Sequence, residues 1–365
     1  MKEIFLILAA VLLLAVPAAA AELPEGSEET IGDLTDALPE GAEETIEGLD
    51  LSGADGFAGG VTRILASMKD AAGDVLRQRL RGAAAVLLVV ILCGAVEGFS
   101  QGTGGKATPF LPMAGALTVT VLTAGSLDSL IGLGAETIRE LNVFSKALLP
   151  TLAAATAASG AVSTAAFQQV TTVFLADLLM NLIESLLLPL VYLYIGALPA
   201  GACLPQSRLG AIAGGLKKVI TWVLSTSLLL FTVYLSVARV ISGAADGAAV
   251  KVAKAAISGV VPVVGSILAD ASETVLAGAG MLRNTIGVLG MVAILAACAY
   301  PFLQLGVQYL LYKLTAFLAE ALGAPSLCKL IDGLGGAFGL VLGMTGGCAL
   351  LLLVSVYSSV AAVMP

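Results

Sequence analysis

Beyond Arg81, eight stretches of this chain run for 15 to 33 residues without a charged side chain. No other feature constrains the fold as much. A helix needs about 20 apolar residues to cross the hydrocarbon core of a bilayer. Apart from a closed barrel, only a helix satisfies its own backbone polar groups there. The gaps between charged residues predict spans at about 82–99, 109–128, 147–167, 171–198, 219–240, 285–311 and 334–362. An eighth apolar stretch, 257–276, is interrupted by Pro262, Gly265 and Asp270 and reads as a re-entrant or interfacial segment. The expected fold is all-α: a polytopic transmembrane helix bundle of about seven spans occupying residues 82–365.

Composition narrows the function. Only 12% of the 365 residues are charged and 58% are hydrophobic, whereas soluble domains carry about a quarter charged residues. Histidine is absent, which removes His general bases, His metal ligands and His pH switches together. An aromatic content of 5%, one Trp and a net charge of −8 argue against nucleic acid, which is bound through basic surfaces and stacking rings. The five cysteines stand far apart without a C-x-x-C pair. Cys203 and Cys328 fall in predicted loops and could meet, although nothing in the spacing demands a disulfide. No metal, cofactor or catalytic constellation is expected. Gly102-Thr-Gly-Gly-Lys106 lacks the flanking Gly and Ser/Thr of a phosphate loop and reads as a turn. The chain is therefore expected not to be an enzyme.

The acidity is concentrated at one end. Residues 1–21 read as a signal peptide, with Lys2, an apolar run from Ile4 to Val16, and Ala19-Ala20-Ala21 as a cleavage site. An uncleaved anchor is the alternative. Residues 22–56 form an acidic extracytoplasmic linker, in which Glu22 to Asp50 hold eleven carboxylates and no Lys or Arg. The linker contains a two-copy repeat, Leu23-Pro-Glu-Gly-Ser-Glu-Glu-Thr-Ile-Gly-Asp-Leu34 and Leu38-Pro-Glu-Gly-Ala-Glu-Glu-Thr-Ile-Glu-Gly-Leu49. A solvated linker is the expectation and a docking strip the alternative. Residues 57–81 predict a basic amphipathic helix, lying either in the membrane interface or on the protein itself. Topology stays open. Placing residues 22–81 outside leaves twelve basic residues outside and six inside, against the positive-inside rule.

Two sets of residues stand out within the apolar body. Gly335, Gly339, Gly343 and Gly347 line one helical face, a spacing that lets helices approach closely where no hydrophobic force drives them together. The pattern leaves open whether the seam joins helices of one chain or copies in a homo-oligomer. Asp177, Asn181 and Glu184 share a face of the fourth span, and Gln304 and Gln308 a face of the sixth. Intramembrane carboxylates often mark ion or proton paths, so a stand-alone secondary transporter using Asp177 and Glu184 is one reading. Interfacial carboxylates and interhelical bracing are the other. The small-residue run Leu148 to Ala166 is expected in the middle of a bundle, with the lining of a water-filled path as the alternative.

Three blocks carry a family likeness: Phe144-Ser-Lys-Ala-Leu-Leu-Pro-Thr-Leu152 through Gly160, Ile257-Ser-Gly-Val-Val-Pro-Val-Val-Gly265 through Leu289, and Tyr300-Pro-Phe through Gly323. Over about residues 57–365 the chain resembles the stage III sporulation protein AE family. The acidic repeat is not part of that pattern. The resemblance implies a multi-pass subunit of the channel apparatus between mother cell and forespore, in the mother-cell membrane that surrounds the forespore. It also implies partners among the other stage III A operon proteins and stage II sporulation protein Q. It carries over no catalytic residues. A non-conducting membrane scaffold fits the same features.

Overall fold

The computed structural model describes residues 38–39, 42–48, 54–102, 110–158, 163–203, 208–260 and 265–361. The signal segment, the first repeat copy, Thr103 to Lys106 and residues 261–264 lie outside them. The described residues form α1 (Ala42–Ile46), α2 (Ala54–Gly102), α3 (Phe110–Ala158), α4 (Ser163–Leu182), α5 (Leu188–Cys203), α6 (Leu209–Val260), α7 (Gly265–Ala321) and α8 (Pro325–Ala361). A π-helical turn, Ile183–Leu187, joins α4 to α5. Six helical stretches among the described residues are long and apolar enough to cross a membrane, with α4, the π turn and α5 counting as one.

The predicted spans 109–128 and 147–167 belong to one unbroken helix as far as Ala158. The charged residues between them, Asp128 to Lys146, interrupt the apolar run without breaking the helix, because no Gly-Pro or capping signal accompanies them. At 1.5 Å per residue, the 49 residues of α3 extend about 73 Å, far beyond a hydrocarbon core of about 30 Å. Helix α2 has the same length and carries the amphipathic stretch 57–81 into the apolar stretch 82–99 without a break. The interrupted segment 257–276 is divided between the end of α6 and the start of α7.

The centre is the α7–α8 hairpin. In their most apolar windows 67% and 72% of residues are buried, against 17% in α2. The hairpin turn is defined by its sequence. Ala324 N–H donates to Ala319 O at 3.1 Å and Gly323 N–H to Glu320 O at 3.1 Å, the paired bonds of a Schellman motif. Gly323 holds φ at 76°, and Pro325 opens α8, where its missing N–H is not needed. Helices α2, α3, α4–α5 and α6 surround this hairpin and turn large apolar side chains outward. Phe99, Phe110, Phe174 and Trp222 are among them, as a lipid-facing surface requires.

Direction alternates through the bundle. Gly60 packs at Val292 and Gly94 at Leu322 O, so α2 runs parallel to α7. Gly115 packs at Leu327 and Gly134 at Val341, so α3 runs parallel to α8 and against α7. Hydroxyl groups are satisfied locally: Thr345, Ser355 and Ser359 are buried and donate to the carbonyls of Val341, Leu351 and Ser355 at 3.1, 2.6 and 2.9 Å. This i−4 bonding lets Ser and Thr lie inside an apolar bundle.

The second repeat copy differs from its expectation as solvated linker. Pro39, Ala42 and Ile46 are buried, and α1 rests on α7 and α2. A helix this short cannot hold itself together in water. Burial of Ile46 and three bonds from Arg63 Nη1, to the carbonyls of Glu44 (3.4 Å), Thr45 (2.9 Å) and Glu47 (2.7 Å), hold it here. The amphipathic stretch has one face packed on the protein and one face turned outward. Ile64 and Val75 are buried in the protein, while Leu65, Leu76 and Leu80 face outward.

Candidate functional site

The glycine face lies inside the chain, on the inner side of α8. A Cβ on Gly335 would stand 3.1 Å from Tyr312 Cβ and 3.7 Å from the Lys313 backbone nitrogen, so the backbones of α7 and α8 approach closely there. A Cβ on Gly339 would stand 2.9 Å from the Tyr309 ring. One turn further on the neighbour changes. Gly343 and Gly347 face Leu224 and Leu228 of α6, at 3.7 and 3.3 Å from such a Cβ. The stripe therefore winds from one partner helix to another, because residues four apart drift around a helix with 3.6 residues per turn. A second set, Gly333, Gly336 and Gly346, receives Leu198, Lys217 and Phe302. Absent side chains here hold large neighbouring ones, as close packing requires.

Asp177, Asn181 and Glu184 meet on α3 a residue that periodicity alone does not pair with them. Asn142, 4% exposed, donates from Nδ2 to Glu184 Oε2 at 2.9 Å and to Asn181 Oδ1 at 3.3 Å. Asn181 Nδ2 donates to Asp177 Oδ2 at 3.1 Å. Arg139, one helical turn before Asn142, places Nε 3.4 Å from Glu184 Oε1 and Nη1 3.5 Å from Glu136 Oε2. The buried oxygens Asn142 Oδ1 and Asp177 Oδ1 have no hydrogen-bond partner among the described residues. The π turn begins at the residue before Glu184, with Leu188 N–H reaching back to Ile183 O. Pro189 follows directly, and its ring would otherwise crowd the carbonyl four residues earlier. Widening by one residue relieves that clash.

Gln304 and Gln308 face elsewhere. Arg79 Nη2 donates to Gln304 Oε1 at 2.6 Å, joining α2 to α7. Gln308 is buried, and its Oε1 has no hydrogen-bond partner among the described residues. A third polar pair joins α7 to α8, where Lys313 Nζ bonds Asp332 Oδ1. Beside it, Tyr194 on α5 donates to Gly333 O at 2.9 Å. Asn142, Arg79, Lys313 and Asp332 were not singled out by the sequence. Lys313 and Asp332 mark the ends of charge-free runs, which places them as boundary residues but gives no sign of their pairing. All five cysteines are free thiols. Cys203 and Cys328 lie in helices, each half-buried, rather than in open loops.

A helical membrane bundle with polar groups at its helix–helix contacts fits many functions, so the chain's relatives decide its class. The family model described as stage III sporulation protein AE matches residues 56–363. The chain belongs to the stage III sporulation protein AE family. A curated relative, stage III sporulation protein AE of Bacillus subtilis (strain 168), is 26% identical over 251 residues, covering 68% of this chain and 62% of that protein. No solved structure matches. The stage III sporulation protein AE match contains all four seam glycines and all five polar positions read from the sequence. It begins at the first turns of α2 and leaves out both copies of the acidic repeat.

Proposed function

We propose that this sporulation-related, multi-pass membrane protein is the membrane subunit of a multi-protein channel or secretion-like apparatus joining mother cell and forespore, required for forespore development. The observation that carries the reading is the family match across the whole bundle, and the seam glycines, buried between helices of one chain, support a rigid membrane part. The partners in this reading are the other stage III A operon proteins and stage II sporulation protein Q, with the protein in the mother-cell membrane around the forespore. The N-terminal region lies outside the cytoplasm in this reading.

The transporter reading rests on Asp177 and Glu184. Their bonds to Asn181, Asn142 and Arg139 favour bracing of α3 against α4. In the proposed role the protein performs no catalytic step. Affinity isolation from sporulating cells in mild detergent, followed by mass spectrometry, should recover stage III A proteins with it. Isolation as a lone species that moves a solute across liposomes by itself, with flux lost in Asp177→Asn with Glu184→Gln, would overturn the proposal.

A further inference from the structure

The groove that holds α1 reads few features of its occupant. It buries Pro39, Ala42 and Ile46, half-buries Leu38, and takes three backbone carbonyls with Arg63. Backbone carbonyls carry no side-chain identity, so any segment with the same apolar spacing and the same helical turn meets these requirements. The chain contains one. Leu23, Pro24 and Ile31 stand fifteen residues before Leu38, Pro39 and Ile46, and the carboxylates and threonine between them are repeated.

We propose that the first copy, residues 23–33, is a second occupant of this groove within its own chain, exchanging with residues 38–48. Only four residues, 34–37, separate the two segments, so one groove cannot hold both. The resident copy is favoured at two positions. Ala42 is fully buried, and its counterpart Ser27 would bring a hydroxyl into that site. Gly48 holds φ at 73°, a conformation that its counterpart Asp33 adopts less readily. With the first copy seated, residues 34–53 become a tether and the second copy is released with its carboxylates exposed. The fold then has two registers of one motif, and the second leaves an acidic strip free to bind a basic surface.

The test uses the full chain in lipid nanodiscs. Ser67 and Glu44 line one cavity of about 630 Å³ beside the groove, so a benzophenone amino acid at position 67 captures what is seated there, and mass spectrometry identifies the peptide. The parent should yield residues 38–48. Ile46→Glu should shift capture to 23–33, and Ile46→Glu with Ile31→Glu should lose both. Ser27→Ala with Asp33→Gly leaves the groove and the resident copy untouched and should raise capture of 23–33. Absence of 23–33 from both the Ile46→Glu and the Ser27→Ala/Asp33→Gly chains would overturn the proposal. So would capture of 23–33 only between differently isotope-labelled chains, since that places the first copy on a neighbour.

Discussion

At Gly335 a methyl group would meet Tyr312 Cβ at 3.1 Å, while at Gly343 the nearest neighbour would be a leucine methyl at an ordinary 3.7 Å. The sequence shows four equivalent glycines, and the packing makes them unequal. Gly343→Ala gains helix propensity worth up to about 1 kcal/mol with room for the added carbon. Gly335→Ala gains the same propensity but drives α7 and α8 apart, and overpacking costs about 1–3 kcal/mol. Thermal unfolding in detergent should therefore leave Gly343→Ala unchanged or more stable and lower the midpoint of Gly335→Ala. Equal effects of the two would remove the close approach at Tyr312 as the reason for the glycine. Asn142 illustrates the opposite problem. A lone amide in the middle of a long helix gives no periodic signal, and its bond to Glu184 exists only because α3 and α4 run past each other.

Among the elements, α1 depends most on others. Five residues bury too little to fold alone, and Arg63 supplies bonds that the helix's own end leaves unmade. Arg63→Ala should weaken α1 by about 1 kcal/mol, the net worth of such bonds at an exposed site, while the bundle keeps its stability. Amide exchange across residues 42–48 should then speed up about five-fold, the rate equivalent of that energy. An unchanged rate would mean that Ile46 and Ala42 hold the helix by themselves. The α7–α8 turn lies at the other extreme. Leu322-Gly323-Ala324-Pro325 spells out a stop and a start, and both signals are used in the fold. The break expected between 128 and 147 had no such signal behind it, only charge, and charge ends a span without ending a helix.

For the whole molecule, the family match starts at residue 56, and of the acidic segment only Ala42 and Ile46, with Leu38 beside them, join the described core. A chain lacking residues 22–53 should still pellet with alkali-washed membranes and unfold within a few degrees of the parent. A chain that fails to insert or aggregates would assign α1 a role in building the bundle. From sequence alone came the helical membrane class, the extent of the apolar body, the family likeness and the helix face that glycine would keep bare. These depend on composition, on uncharged length and on periodicity, all properties of neighbours along the chain. Tertiary structure decided that two predicted spans share one helix, that the glycine face turns inward and divides between α7 and α6, that Asn142 and Arg139 complete the carboxylate cluster, and that one copy of an acidic repeat is docked. Each of these depends on which helices lie side by side. Local hydrophobicity is nearly uniform along a membrane chain, so it cannot choose among neighbours. Shape, and the need to pair each buried polar group, makes that choice.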